Sequence, residues 1–543
     1  MDSFKLKDEN GNIMRDNRAS IGINGMVATA KHEASKIGVQ IIKEGGNAID
    51  AAVAVGFALG VCEPNASGLG GGGFMTIKLK DHDSPIFVDF REIAPKNADP
   101  TIWPLDSQGK VIGNKRTEGG RSICVPGEVA GLLYVHDKYG SKCIKEVMNP
   151  AIQLAKNGFE ITDGLMRDLV GCKERLERYA EANNPYLGNF KVGEIFKNPQ
   201  LAATLSSIRD GGKAAFYSGV INQNIVDSIN KHDGVFKGTD LEEYTVTVDQ
   251  PVRGTYRGYE IISSPLPSSG GTHIIQILNI LENFDMASLE INSPQYIHLM
   301  SEAFKMSFAD RQEYMGDPSF VEVPIEGITS KAYGAKLASK ILNDKAQSFS
   351  HDCPEDIEPT DTTHYSIADK DGNLVSVTKT ISAFFGSGIV PENTGIVLNC
   401  QARGFAVGEG KANSIGPGKK PLSSMSPTLI LKDGQAMAVL GSPGGQRIIT
   451  AVAQVISKLI DHGLNMKDAI NSPRMSNGSD EILLCEGRID ESVIETLKSF
   501  GHEVDVLDGY DRKFGGVQGI KFNEENSIEG AADPRRDGVA IGY

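Results

Sequence analysis

Apolar positions along the 543-residue chain change their period several times, and each change predicts an element. Met26–Ala30 (MVATA) reads as a short strand. Ile37, Val39, Ile41 and Ile42 within Ala34–Glu44 carry helical spacing until Gly45 and Gly46 stop it. Asn47 with Asp50 three residues on is an N-cap signal, and the apolar run Ala51–Cys62 behind it predicts a buried helix, too short to span a bilayer. After the glycine run Gly68–Gly73, Phe74–Leu79 and Pro85–Phe90 read as strands joined by a turn at Asp81–Ser84. Two helices followed by a hairpin form a layered α/β pattern.

From about Val129 to Asn343 the period is mainly helical, at Pro150–Lys156, Asn222–Lys231, His273–Asn283 and Ile297–Ala309. Asp344–Pro359 is polar, carries two prolines and has no period, which predicts an exposed linker. Beyond it the pattern turns to β. HYSIA-DKDG-NLVSVTKTI and PTLIL-KDG-QAMAVL alternate around tight polar turns, as hairpins do. Gly441-Ser442-Pro443-Gly444-Gly445 then opens a long helix, Gln446–Asp461.

Composition narrows the function. Lys and Arg number 55 against 70 Asp and Glu, a net charge of −15, which argues against a nucleic-acid or anionic-membrane partner because both need a basic face. The seven cysteines are scattered without a Cys-x-x-Cys pair, so a disulfide framework or thiolate metal site is not expected. The polar beginning MDSFKLKDENGNIMRDNRAS lacks a signal-peptide core, and the expected location is cytoplasmic. No HExxH occurs, and no histidine with a carboxylate three or four residues on stands out, so neither metal nor cofactor is expected.

Three motifs remain. Gly68–Gly73 leads into a strand rather than a helix, which favours close backbone packing over phosphate binding. Gly444 and Gly445 stand at a helix N-terminus, where free N–H groups and the dipole favour an oxyanion. No GxSxG elbow is present, but Thr362 sits where the linker enters a strand. Cleavage of the Asp361–Thr362 bond would give Thr362 its own α-amine, with a reference pKa of about 7.7–8.0, as the base that a hydroxyl nucleophile needs.

The string Thr362-Thr363-His364-Tyr365-Ser366, with GSGIVPENTGIVLN after it, resembles the γ-glutamyltranspeptidase family of N-terminal-nucleophile hydrolases. VDFREIAP around Arg91, VPGEVAGL, PLPSSGGTHIIQILNILENFD, ADRQEYMGDP, PLSSMSPT, GSPGGQRIIT and ADPRRDG carry the likeness from about residue 25 onward, in the family's order. The resemblance implies a four-layer αββα sandwich, an intertwined unit built from a large chain 1–361 and a small chain 362–543 after self-cleavage. It places the nucleophile on Thr362, the second threonine that assists maturation on Thr380, and the oxyanion hole on Gly444 and Gly445. Arg91, Ser423 and Ser424 fall on the clasp for the substrate's α-carboxylate, a task suited to a guanidinium and two hydroxyls.

The clasp for the α-ammonium departs from the family. Gln401 is kept, but Ser382 stands where an Asn is usual, Gly404 stands where an acid is usual, and Arg403 adds a positive charge. Loss of a carboxylate partner for an ammonium costs about 2–5 kcal/mol. The stretch Phe405–Ser423 also looks shorter than in members with a lid, which implies an open site. The leading expectation is a self-processing amidohydrolase or acyltransferase, without cofactor, acting on γ-glutamyl amides such as glutathione. The alternatives are an acylase for carboxylate-bearing amides lacking the α-amine, oxamate-like or glutaryl, and a binding protein that never matures. The small-molecule amide is the expected partner, and the self-cleaved heterodimer, alone or paired, the expected assembly.

Overall fold

The computed structural model describes residues 18–349, 361–478, 481–523, 525 and 527–543. Strand alternation divides the apolar residues among three cores. Along Gly25–Thr29, Val27 faces outward with Ile367, Val375, Val377, Met75 and Ile77 from neighbouring strands. They pack on the helices His32–Lys43, Ala48–Cys62 and Glu128–Tyr139. Met26, Ala28, Ala368 and Leu374 face the other way and meet Ile262, Leu429, Val439 and Ile520 of a second sheet. The far side of that sheet, with Ile261, Ile430, Ala438 and Leu440, packs on Gly270–Leu281, Pro294–Tyr314 and Arg447–Ile460. Helix, sheet, sheet, helix is the four-layer order expected.

Each sheet has seven antiparallel strands. The first runs Val539–Gly542, Gly25–Thr29, Asp361–Asp369, Leu374–Ser382, Gly72–Lys78, Ile86–Phe90, Thr247–Asp249. The second runs Ala19–Gly22, Ile528–Ala532, Gln518–Phe522, Gln435–Gly441, Thr428–Lys432, Tyr259–Ser263, Val252–Tyr256. Both sheets mix strands from before position 361 with strands from 361 onward, so neither part of the chain owns a sheet.

Predicted elements recur with shifted ends. The expected helix at Ile297–Ala309 spans Pro294–Tyr314, because Ser293 caps it by accepting from the Tyr296 amide and Pro294 starts it, features that apolar spacing does not register. Asn47 and Asp50 form the capping box read from the sequence. The glycine run is packed solid. A Cβ on Gly70 would lie 2.1 Å from the Val397 carbonyl oxygen, and one on Gly71 the same distance from that of Thr380. The run lets backbone approach backbone and leaves no phosphate cradle. The described part of the expected linker, 344–349, is tied down, with the Ala346 amide donating to Phe500 O and Phe349 over the Lys305 ammonium. The rest of that linker and Cys353 lie outside the described residues.

Lys379 Nζ, wholly buried, donates to Glu128 Oε1 (2.6 Å) and Gly56 O (2.7 Å), pinning the strand that bears Thr380 to the outer helices. Glu128→Ala is expected to cost about 3–5 kcal/mol by stranding the ammonium, and Glu128→Leu with Lys379→Met to regain most of it. Calorimetric melting of the three proteins checks this; an unshifted Glu128→Ala transition would refute it.

Candidate active site

The two strands that place the nucleophile pair irregularly where it sits. Asp361 opposes Ser382 and Thr363 opposes Lys379, so Thr380 and Ile381 together face the single residue Thr362, a β-bulge. Ser382 holds a positive φ of 81°, which aims its amide at Thr380 Oγ1 (2.8 Å). Thr380 Oγ1 also accepts from Thr362 Oγ1 (3.4 Å) and donates to the Asp361 carbonyl oxygen (2.5 Å). The hydroxyl's one donor and two acceptor sites are all used. Thr362, Thr380 and the Asp361 carbonyl, the groups expected to take part in self-cleavage, are thus joined in one chain of hydrogen bonds.

Thr362, His364 and Ser366 share the face that looks toward the second sheet. His364 bonds Thr378 Oγ1 (2.8 Å) and Ser366 Oγ (3.0 Å), and burial pushes its imidazole down to about 3. It is a neutral spacer, not a base. Opposite it, a Cβ on Gly441 would lie 2.4 Å from the ring, so the strand leading into Ser442–Gly445 presses directly on the nucleophile's strand.

Gly444 and Gly445 hold φ of 128° and 60°, which favour glycine. Their carbonyls accept from the Arg447 and Ile448 amides at the head of the helix Arg447–Ile460. Among the described residues, neither glycine amide donates to a protein group. Gly444 is buried. A buried unpaired N–H is costly, and two at a helix N-terminus suit a developing oxyanion.

The residues expected to clasp a carboxylate assemble around Arg91, which follows the strand Ile86–Phe90 at the same end of the sheet as Thr380. Its guanidinium donates to Pro421 O (3.3 Å), Leu422 O (3.4 Å) and Gln401 Oε1 (3.4 Å), gathering the turn that carries Ser423 and Ser424. Cys400 donates its amide to Ile381 O, which fixes Gln401 beside the end of the Thr380 strand. Ser423 Oγ accepts from the Met425 amide (3.1 Å) and Ser424 Oγ from Arg311 (3.2 Å). Among the described residues neither hydroxyl donates to the protein, so both O–H groups are available to an anion. Ser382 is buried at the end of the Thr380 strand, and Arg403 shares the short helix Gln401–Gly404, its carbonyl accepting from Arg116 (2.9 Å). A Cβ on Gly404 would stand 3.9 Å from Arg91 Nη2, where a side chain would reach the clasp. Phe405–Ser423 folds down on Trp103, with Phe405 and Ile415 in one small core and Asn413 tied to Gly404 O (2.7 Å).

The sequence reading missed one carboxylate and the ionisation of another. Glu92, paired with Arg91 at 3.2 Å, is wholly buried, and burial pushes it up to about 7 against Arg91 and Gln401; among the described residues its Oε1 has no partner. Asp361, named only for the expected cut, is 5% exposed, 3.6 Å from Arg536, and burial pushes it up to about 7 against Arg536 and Arg512. Glu92 lies inside a quoted motif, beside an arginine whose chemistry drew attention first. A third correction concerns metals. His298 and Glu302, four residues apart on Pro294–Tyr314, do group with His502, their ligand atoms within 4.8 Å, although no such pair was expected. His298 and His502 bond each other (2.8 Å) and Lys305 neutralises Glu302 (2.6 Å), and the group lies apart from the clasp and the threonines.

With this geometry in view, the comparisons with known proteins are informative. Residues 34–543 match the family model described as gamma-glutamyltranspeptidase. The chain is 41% identical to the glutathione hydrolase proenzyme of Escherichia coli (strain K12), covering 96% of this chain and 92% of that one. It is 36% identical to the acylase ACY 1 proenzyme of Pseudomonas sp. (strain V22), covering 97% and 95%. The crystal structure of cephalosporin acylase from Bacillus halodurans superposes with a TM-score of 0.87 at 26% identity, over 100% of this chain and 99% of that one. The fold and site define an enzyme of the N-terminal-nucleophile hydrolase class. The chain belongs to the γ-glutamyltranspeptidase family.

Asp361 makes the uncut chain sensitive to pH. Its carboxyl titrates near 3.8 when unfolded and near 7 when folded, so the folded state holds the extra proton between them. Stability from this group is greatest below about pH 4 and falls by about 1.4 kcal/mol per pH unit up to about 7, then levels off. Melting of Thr362→Ala protein from pH 4.5 to 7 is expected to fall more steeply than that of Thr362→Ala/Asp361→Asn. Parallel curves would count against it.

Proposed function

We propose that the protein cuts itself before Thr362 and then cleaves γ-glutamyl amides, glutathione among them, through an acyl-threonine intermediate. The observation that carries this reading is the hydrogen-bonded chain from Thr362 Oγ1 through Thr380 Oγ1 to the Asp361 carbonyl oxygen. As Thr362 Oγ attacks the Asp361 carbonyl carbon, the Thr380 hydroxyl takes the nucleophile's proton and passes its own to the carbonyl oxygen. Collapse breaks the C–N bond, leaving an ester on Thr362 Oγ and a free α-amine; water then releases the Asp361 carboxylate. In turnover the amine acts as base, Thr362 Oγ attacks the donor amide, and the Gly444 and Gly445 amides receive the oxyanion. Arg91, Ser423 and Ser424 hold the donor's carboxylate. Water or an amino acid completes the transfer. The word proenzyme in the names of both relatives agrees with self-cleavage.

A second reading has its own support. Gly404 removes the usual acidic partner of an α-ammonium, and acylases are among the similar proteins. Amides with the carboxylate and without the amine, such as glutaryl amides, would then be preferred. Glu92, with an unpartnered oxygen beside Gln401, is the carboxylate that remains in the clasp and keeps γ-glutamyl donors first.

Intact mass checks the first half. The purified protein is expected as two chains with Thr362 leading the second, whereas Thr362→Ala stays whole and Thr380→Ala matures at least tenfold more slowly, having lost its proton relay. A wild-type protein that stays whole would instead favour a binding role. Hydrolysis of γ-glutamyl and glutaryl p-nitroanilides, side by side, checks the second. The γ-glutamyl donor is expected to have the higher kcat/KM, and Gly404→Asp to widen its lead about tenfold or more by restoring a charge partner. A glutaryl preference in the wild type would install the second reading.

A further inference from the structure

Arg311 is a cation without an anion. It lies in the last turn of Pro294–Tyr314, and its Nε donates to Ser269 Oγ (2.9 Å) and its Nη2 to Ser424 Oγ (3.2 Å). Among the described residues no carboxylate pairs with it. Its neighbour Asp310 turns instead to Gln276 (2.5 Å) and Tyr333 (3.0 Å). Nearby His273 bonds Gln276 through Nδ1 (2.8 Å), and burial with help from Arg311 holds it neutral, at about 3. Burial lowers the guanidinium itself to about 10, so it stays charged at neutral pH. A partly buried charge ringed by neutral hydroxyls and an imidazole is a cost in the free protein that an arriving anion relieves.

What it touches gives that cost a purpose. A guanidinium can only donate, so Ser424 Oγ must accept and its O–H is left to point elsewhere. Ser269, accepting from the same guanidinium, donates its hydroxyl and its amide to Ser423 O (both 3.0 Å), which fixes the other serine through its backbone. One side chain therefore leaves the Ser424 hydroxyl to donate outward, braces the backbone of Ser423 through Ser269, and sets a positive charge behind the turn. We infer that Arg311 is a positioning residue that makes the Ser423–Ser424 turn selective for a carboxylate over a neutral group in the donor. It acts through Ser424 and Ser269, where Arg91 acts by direct reach. The inference deepens the reading above and rests on its assignment of Ser423 and Ser424 to the donor's carboxylate.

The test pairs each p-nitroanilide donor with its counterpart in which the carboxylate is a carboxamide. Arg311→Met is expected to raise KM for the acids about tenfold, with kcat within about threefold, and to leave the carboxamides unchanged. Arg311→Lys, which keeps the charge but cannot reach both hydroxyls, should recover part of the loss. Adding Ser424→Ala to Arg311→Met should cost little more than either change alone. Equal losses on acids and carboxamides, or strictly additive losses, would overturn the inference. Maturation into two chains serves as the folding control, and Ser269→Ala is a milder variant with the same expected KM split. Should the wild type turn over none of these donors, the functional reading fails. The inference is then decided by glutarate-induced thermal shift in Thr362→Ala protein: a shift lost with Arg311→Met supports it, and a shift that is absent or survives the change overturns it.

Discussion

The Thr380 hydroxyl is the point on which the site turns. It has three hydrogen-bonding positions, filled by the Thr362 hydroxyl, the Asp361 carbonyl oxygen and the Ser382 amide, and the first two are the groups that the proposed cleavage joins. That triple fit exists because the strand pairing slips by one residue there and because Ser382 accepts a left-handed backbone. Behind the bulge, Gly71 lets its own strand approach the Thr380 carbonyl, and Lys379 anchors the adjacent residue to the helix layer. Glycine run, buried ion pair and strand slip all serve the position of one oxygen.

Around it the enzyme arranges two kinds of unfilled demand. Among the described residues, Gly444 and Gly445 present N–H groups with no acceptor, and Ser423, Ser424 and Arg311 present donors with no anion. Together they describe in negative the molecule of the proposed reading: a carbonyl that becomes an oxyanion at one end and a carboxylate at the other. Glu92, buried with one oxygen unpartnered, adds a demand of opposite sign.

Much of this was legible in the sequence, and the manner in which parts were not is instructive. Individual strands and the all-apolar helix after Asn47 followed from periodicity, since both signals are burial itself, while the four-layer order came from the family resemblance. Element ends were less visible, because Ser293 and Pro294 start a helix by capping rather than by burial. Thr362 stood out as a hydroxyl at a strand entrance and the two glycines as a helix N-terminus, and the family resemblance supplied Thr380 and Arg91. Glu92 and Arg311 were quoted only as letters of motifs, and Asp361 only as the residue before the expected cut. Their importance lies in what surrounds them, and no residue's own identity reveals a missing partner. His298 and Glu302 carried a visible four-residue spacing that was passed over, and it becomes a cluster only when His502 arrives from two hundred residues away.

The mixing of strands from before and after position 361 in both sheets has a consequence for the life of the molecule. For a chain cut there, each product would hold only some of the strands of both sheets, and the core between the sheets would draw on both products. Such a protein would fold once, as a single chain, and be divided afterwards. If melted, its parts would have to meet by diffusion and interleave, a search that the continuous chain never faced. Its durability would then be a matter of rate rather than equilibrium, and denaturation would run in one direction.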